Sequence, residues 1–102
     1  MNGKIAKLNG VIFEDAQENI KKWGCNDIRT YALVREPDNP HDPNAVRVAL
    51  FGQYYMGYIP KEISAELAPF MDAGRYFYAE FVQRNESPYR EIVGMTIKIV
   101  EE

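Results

Sequence analysis

The feature that most constrains this fold is a nine-residue segment near the middle of the chain, residues 36–44, which contains three prolines and four Asp or Asn residues. Proline fixes φ and has no N–H, so this segment excludes an α-helix and a central β-strand. Asp and Asn side chains hydrogen-bond to nearby backbone groups and favour turns. The sequence therefore predicts an ordered loop at residues 36–44.

Alternating segments lie on both sides of this loop. Apolar and polar residues alternate over residues 28–35 and 45–51, and alternation with a period of two is typical of β-strands. Gly52 and Gln53 form a tight connection to a further strand at residues 54–59. The second and third of these strands are therefore predicted to form a β-hairpin.

The two ends of the chain contribute three more strands. Residues 4–13 predict a first strand with a bend or bulge at its Asn-Gly pair. Residues 75–83 and 91–100 predict a last pair of strands, joined by a turn at residues 84–90. The apolar residues of this pair are expected to form a shared core: Phe77, Ala79, Phe81, Val93, Met95, Ile97 and Ile99.

Two short helices complete the pattern. Apolar residues recur at helical spacing from residue 13 onward and stop before Gly24, which predicts a short helix with a glycine cap. A second helix is predicted to begin at Pro60. Pro69 should kink or shorten this helix before Gly74. Its apolar face is predicted to consist of Ile63, Leu67, Phe70 and Met71.

The predicted order is β-α-β-β-β-α-β-β, with no βαβ repeat. A mainly β (β-rich α+β) fold follows: a small, mostly antiparallel barrel or half-barrel of about six strands with two short helices closing it. A chain of 102 residues is the size of one domain, so residues 1–102 are expected to share one core.

Composition limits the possible partners. Twelve Lys and Arg against fifteen Asp and Glu give a formal charge of −3, which argues against non-specific wrapping of duplex DNA. A short groove with a few cations and aromatic stacking platforms remains compatible with this charge. No apolar run is long enough to cross a bilayer and no secretion signal is apparent, so a cytoplasmic location without a membrane partner is expected.

Signals for catalysis are weak. His41 is the single histidine and Cys25 the single cysteine, so neither a nucleophile triad nor a thiolate zinc site can be assembled from local spacing. Glu36, Asp38 and Asp42 would be the ligands of a metal-dependent nuclease, but their spacing does not fit an EF-hand. We expect no enzymatic activity, no metal and no cofactor, and keep the nuclease as the least favoured alternative.

Five segments of the chain resemble the HIRAN family in the correct order: residues 10–13, 33–46, 57–62, 67–69 and 72–74. The resemblance extends over nearly the whole chain, from residues 10–13 to the final strand. The resemblance implies a small OB-like or SH3-like barrel. It also implies recognition of the 3′ end of single-stranded DNA, in repair or replication. The partners expected from it are single-stranded DNA or DNA ends, with a repair or replication protein as a further candidate.

The same resemblance assigns roles to individual residues. Phe13 falls where the family's DNA-binding version stacks a base, and His41 falls at the next base platform. Asn39 and Asp42 fall where a polar pair reads the terminal nucleotide. The carboxylate of Asp42 is the expected acceptor from the 3′ hydroxyl.

Three further residues are assigned from the resemblance. Tyr58 and Lys61 fall at positions that face backbone phosphates, and Tyr89 matches another aromatic residue. The chain departs from the family where Ile12 replaces a basic residue, His41 replaces a tyrosine and Tyr58 replaces a histidine. Fewer cations and less aromatic surface predict a weaker affinity.

Other interpretations of these residues stay open. Phe13 could be an ordinary core residue at a strand–helix junction, and the Asp and Asn side chains of the loop could serve only as turn caps. A protein-interaction adaptor using the aromatic hairpin Tyr54–Tyr58 or a strand edge is the alternative function. Convergence of Phe13, His41, Tyr58 and Lys61 in one groove would favour DNA binding over the adaptor.

Overall fold

The structure, a computed structural model, describes residues 1–102. The order of its elements confirms the predicted β-α-β-β-β-α-β-β sequence. Its strands and helices are β1 (Lys4–Lys7), α1 (Ala16–Trp23), β2 (Thr30–Arg35), β3 (Val46–Leu50), β4 (Tyr54–Tyr58), α2 (Lys61–Asp72), β5 (Phe77–Ser87) and β6 (Arg90–Glu101). The predicted mainly β class with two short helices is confirmed.

All six strands lie in one antiparallel sheet, with the order β1-β6-β5-β2-β3-β4. The two edges of this sheet approach each other just after β1. There, Asn9 N–H donates to the Tyr58 carbonyl at 2.9 Å, and Tyr58 N–H donates to the Asn9 carbonyl at 2.8 Å. Because the sheet curls far enough for its first and last strands to meet, the predicted small half-barrel is confirmed.

Gly57 makes this closure possible. A Cβ at Gly57 would lie 2.8 Å from the Asn9 carbonyl oxygen, closer than packed atoms approach, and 3.0 Å from Leu8 Cβ, which is a tight contact. The pairing of β3 with β4 shifts register between Val48 and Ala49, and such a bulge increases local strand curvature. A glycine beside a bulge lets the backbone of β4 approach the chain beyond β1.

The core lies inside the curled sheet. Its members come from every strand and from both helices, and 17 of them form one contiguous buried cluster. In β2 the inward residues are Tyr31 and Leu33. The Tyr31 hydroxyl donates to the Trp23 carbonyl at 2.6 Å, and burial raises the pKa of Tyr31 to about 12. The hydroxyl thus ties the end of α1 to the sheet.

Two predicted boundaries at the chain ends were wrong. β1 ends at Lys7 rather than at residue 13, because the chain leaves β6 after Leu8 to reach β4. The predicted turn at residues 84–90 is mostly strand: Ser87 pairs with Arg90, so the hairpin turn contains only the two residues between them. Two register shifts in β5 accommodate the polar residues of this stretch.

Helix α2 differs from the prediction at its apolar face. Pro69 lies inside the helix, which continues to Asp72. The carbonyl of Ala65 loses its helical partner there, but Ala65 is exposed to solvent, so water can replace the missing N–H. Phe70 was predicted to face the core and is 37% exposed. The buried residues of α2 are Ser64, Leu67 and Ala68.

Neither helix has the length and hydrophobicity needed to cross a membrane.

Candidate functional site

A groove of about 580 Å³ lies between the proline-rich loop, the segment that follows β1 and the end of β4. We call it the loop groove. Its lining residues are Asn9, Gly10, Phe13, Glu14, Asn39, His41, Asp42, Ala45 and Tyr58. Five of the seven residues singled out by sequence line it: Phe13, Asn39, His41, Asp42 and Tyr58.

The proline-rich loop is held by its own side chains. Asn39 Oδ1 accepts hydrogen bonds from the backbone N–H of His41 at 2.8 Å and of Asp42 at 3.1 Å. Asn39 Nδ2 donates to Glu36 Oε1 at 3.0 Å. Both ends of the amide therefore stabilise the loop, which is the turn-capping role left open by the sequence.

Asp42 is only partly committed to the loop. Its Oδ1 accepts a hydrogen bond from Asn44 N–H at 2.9 Å, and its backbone carbonyl accepts one from Ala45 N–H at 3.1 Å. Because a carboxylate has two oxygens, Oδ2 is left to accept a hydrogen bond from a ligand in the groove.

Arg35 connects the far end of the loop to helix α2. It donates to the Pro43 carbonyl at 2.7 Å and forms a two-pronged pair with Asp72, at 3.0 and 3.1 Å. Two parallel N–H···O bonds fix both position and orientation. The loop is thus held at its start by Asn39 and at its end by Arg35.

Phe13 forms the opposite wall of the loop groove. Its side chain is 59% exposed, so it is not the core residue that a strand–helix junction allowed. The segment that carries it is fixed from two sides: Tyr55 donates from its hydroxyl to the Gly10 carbonyl at 2.6 Å, and Gln17 Nε2 donates to the Val11 carbonyl at 2.7 Å. An exposed aromatic ring is therefore presented on a fixed backbone.

A charged cluster lies beside the groove. The Tyr58 hydroxyl donates to Glu36 Oε1 at 2.7 Å, and Arg47 Nε donates to Glu36 Oε2 at 2.7 Å. The same guanidinium forms a second pair with Glu14, at 2.9 and 3.3 Å. Arg47 also lies 4.7 Å from the ring centroid of Tyr55, a distance at which a cation is attracted to an aromatic face.

These contacts shift the pKa values of Glu36 and Tyr58. Burial alone would raise the pKa of Glu36, but hydrogen bonds from Tyr58 and Asn39, together with the charge of Arg47, lower it below its ordinary value. The pKa of Tyr58 is raised, first by burial and then by its hydrogen bond to Glu36. Glu36 is therefore a carboxylate at neutral pH, and the Tyr58 hydroxyl is protonated and already engaged.

The other two predicted site residues lie outside the loop groove. Lys61 is an exposed residue at the start of α2, because Ile59 and Pro60 turn the chain away after β4. Tyr89 is 93% exposed in the turn between β5 and β6, since that hairpin extends well past Thr30 at the start of β2. The predicted convergence of Phe13, His41 and Tyr58 is observed, and that of Lys61 is not.

The sequence did not single out Arg47 or Glu14. Arg47 belongs to the outward face of β3, where it alternates with the buried residues Val46 and Val48. A charged residue in such a position is ordinarily a solvated one, so alternation gave no sign of its partners. Only the folded chain places it next to Glu14, which is 33 residues away.

The three loop carboxylates considered as metal ligands do not gather. Glu36 faces Arg47, Asp42 caps Asn44, and Asp38 is exposed. No group of three His, Cys, Asp or Glu side chains in the chain is close enough together to hold a metal ion. The groove lining itself consists of aromatic surfaces and hydrogen-bonding groups.

The sequence of this chain is similar to a known domain family and to parts of two larger proteins. A family model described as the HIRAN domain matches residues 24–101. The helicase-like transcription factor of Oryctolagus cuniculus is 45% identical over 47 residues, covering 46% of this chain and 5% of that protein. The Fanconi-associated nuclease 1 homolog of Oryza sativa subsp. japonica is 40% identical over 43 residues, covering 39% of this chain and 4% of that protein. The chain thus spans only a small part of these relatives.

Solved structures share the fold. The HIRAN domain of human HLTF superimposes with a TM-score of 0.72 at 20% identity, covering 98% of this chain and 74% of that one. A protein from Lactobacillus plantarum gives a TM-score of 0.73 at 19% identity, covering 95% of this chain and 89% of that one. Because the family model covers well over half of the chain, and its fold matches a solved HIRAN domain, this chain belongs to the HIRAN domain family.

Proposed function

We propose that residues 1–102 form one non-enzymatic HIRAN domain that binds the 3′ end of single-stranded DNA in the loop groove. The observation that carries this proposal is the convergence of an exposed aromatic ring, Phe13, with His41 and a half-free carboxylate, Asp42, on one concave surface. These are the groups that hold a base and a terminal hydroxyl.

Stacking is the first contribution. Phe13 and His41 both line the loop groove and come from the two segments that form its walls. A base against an aromatic side chain contributes about 1–3 kcal/mol, and this contact tolerates any base because every base has a π-face. The domain would therefore bind without strong sequence preference.

The terminal hydroxyl is the second contribution. Asp42 Oδ1 is engaged by Asn44 N–H, and Oδ2 would accept the hydrogen bond of a 3′ hydroxyl. A hydrogen bond to a charged group contributes about 1.5–3 kcal/mol. Asn39 would act on the ligand indirectly, by holding His41 and Asp42 in place.

Phosphate contacts would be few. Tyr58 offers its ring to the groove while its hydroxyl is bound to Glu36, and Lys61 would meet the strand where it leaves the groove. The formal charge of −3 is consistent with a short footprint, because long footprints depend on many cations. A role in targeting DNA ends for repair or replication follows from this mode of binding.

The test is fluorescence-anisotropy binding to short single-stranded DNA with a free 3′ hydroxyl, a 3′ phosphate or a blocked 3′ end. Asp42→Asn keeps an oxygen for Asn44 but replaces the free oxygen with a donor. Asp38→Asn is the matched control, an exposed residue in the same loop. We expect the wild type and the control to prefer the free hydroxyl by about tenfold, about 1.4 kcal/mol, and Asp42→Asn to lose that preference.

Equal binding to all three ends would contradict end recognition, and no binding at low salt would favour the adaptor alternative.

The structure weakens one argument for the adaptor alternative, the exposed aromatic hairpin. Tyr55 and Met56 of the aromatic hairpin are buried, and the ring centroid of Tyr54 lies 4.6 Å from that of Trp23. The hairpin therefore does not present a row of free aromatic side chains.

A further inference from the structure

The Arg47 guanidinium contacts the side chains of Glu14 and Tyr58, which line the loop groove, and two carboxylates occupy it. Glu36 accepts from Nε at 2.7 Å, and Glu14 accepts from the two terminal nitrogens at 2.9 and 3.3 Å. A guanidinium binds carboxylate and phosphate through the same fork of parallel N–H groups. The edge of Arg47 taken by Glu14 is thus the edge that a phosphate would use.

The two carboxylates are not held equally. Glu36 has a side chain 24% exposed and accepts further hydrogen bonds from Tyr58 and Asn39. Glu14 has a side chain 52% exposed, and Arg47 is its one hydrogen-bond partner. An ion pair with one exposed partner contributes little, about 0–1 kcal/mol. Glu14 is therefore the partner that a ligand can displace.

The backbone of Glu14 is in a conformation that is uncommon for a residue other than glycine. Its φ is +51°, in the left-handed region that costs an L-residue about 1–2 kcal/mol relative to glycine. Glu14 also lines the loop groove beside Phe13 and Asp42. The displaceable carboxylate of Glu14 thus lines the groove in which the DNA strand would lie.

We propose that Glu14 competes with nucleic-acid phosphate for Arg47, and so determines how strongly the loop groove accepts phosphate. This inference rests on the proposed function for its ligand. Glu14 and Asp42 together make the groove acidic, which disfavours a phosphorylated terminus and leaves the free hydroxyl as the accepted end. Removing Glu14 frees the outer edge of Arg47 for one phosphate.

The first experiment uses inorganic phosphate as the probe and NMR of the Arg47 Nε–H as the readout. In Glu14→Gln we expect this resonance to respond at about two- to fivefold lower phosphate concentration than in the wild type, the range given by loss of a weak competing surface ion pair. Glu18→Gln is the matched control, an exposed glutamate of α1 with no ion pair. Equal responses in the wild type and Glu14→Gln, or an equal gain in Glu18→Gln, would overturn the proposal.

The second experiment measures binding of 3′-phosphate and 3′-hydroxyl oligonucleotides as a function of salt. Glu14→Gln should gain about two- to fivefold affinity for the 3′-phosphate strand. Its slope of log affinity against log salt should steepen by about 0.7, the value for one added phosphate contact on a single strand. An unchanged slope and affinity would count against the proposal.

Two safeguards keep these outcomes separable. Glu14→Gly removes the same carboxylate and relieves the positive φ, so it should fold at least as stably as the wild type and should repeat the phosphate gain. If neither the wild type nor Glu14→Gln binds DNA but the variant gains the phosphate response, the proposed function fails and the role of Glu14 stands. If the wild type binds DNA ends and Glu14→Gln gains no phosphate response, the role of Glu14 fails and the proposed function stands.

Discussion

The side-chain oxygen of Asn39 lies 2.8 Å from the backbone nitrogen of His41, and it also accepts from the next residue, Asp42, at 3.1 Å. One amide therefore orients both the aromatic platform and the carboxylate of the loop groove. Two of the residues proposed to contact DNA therefore owe their positions to a third, whose amide oxygen and nitrogen are both hydrogen-bonded within the loop.

Asn39→Ala should weaken DNA binding without removing any group proposed to contact the ligand. Loss of a side-chain hydrogen bond costs about 1 kcal/mol of folding stability, and a similar loss of binding energy should follow because the loop is no longer held in place. Urea denaturation and anisotropy binding would measure both quantities. Asp38→Ala, in the same loop but exposed, should change neither, and equal effects of the two substitutions would refute the positioning role.

Phe13→Ala should separate binding from stability. The ring is 59% exposed, so its loss should change the free energy of unfolding by less than about 1 kcal/mol. Loss of stacking should weaken DNA binding by about 1–3 kcal/mol. Ile12→Ala, at a side chain 60% exposed, is the neighbouring control and should bind DNA like the wild type. A large drop in stability with unchanged binding would show that Phe13 is structural.

Glu36 should make stability depend on pH in the acid range. Its pKa is lowered in the folded state from an ordinary value of 4.5, so the folded protein binds its proton less readily than the unfolded chain does. The stability that this contributes is present above the unfolded pKa and is lost as pH falls through the folded pKa. Glu36→Gln should therefore be less stable at neutral pH and lose less stability on acidification.

Thermal or urea unfolding between about pH 3 and about pH 7, the range over which acid-range linkage acts, would measure this difference. Glu18→Gln again serves as the control, because Glu18 is exposed and has no ion pair. Parallel stability curves for the wild type and Glu36→Gln would contradict the assignment of the acid loss to Glu36.

Gly57→Ala should destabilise the half-barrel by about 2 kcal/mol or more, because its Cβ would press on the Asn9 carbonyl at 2.8 Å and overpacking of this kind costs about 1–3 kcal/mol. Gly94→Ala is the control: its Cβ would meet Asn85 at 3.5 Å, an ordinary contact. Differential scanning calorimetry would compare the two. A melting temperature for Gly57→Ala equal to that of Gly94→Ala would argue against close approach at the closure.

Local signals were sufficient for the order of the elements. Alternation predicted β2 and β3, the tight connection at Gly52 and Gln53 predicted the return strand β4, and the cluster of prolines with Asp and Asn predicted the loop between β2 and β3. These preferences act over a few neighbouring residues. The boundaries that failed depend on partners far along the chain. β5 and β6 extend through a polar stretch because each supplies the hydrogen bonds of the other.

The features of the candidate site also fall into two groups: those that could be inferred from the sequence and those that only the folded chain shows. The turn-forming chemistry of Asn39 and Asp42 joins residues two or three positions apart, so it could be inferred from the sequence, and family resemblance added Phe13 and His41. The sequence by itself thus determined the strands, the helices and the loop. Only the tertiary structure decided that Phe13 faces that loop and that Arg47 is shared by Glu14 and Glu36, because closing the sheet brings together residues whose spacing along the chain carries no common signal.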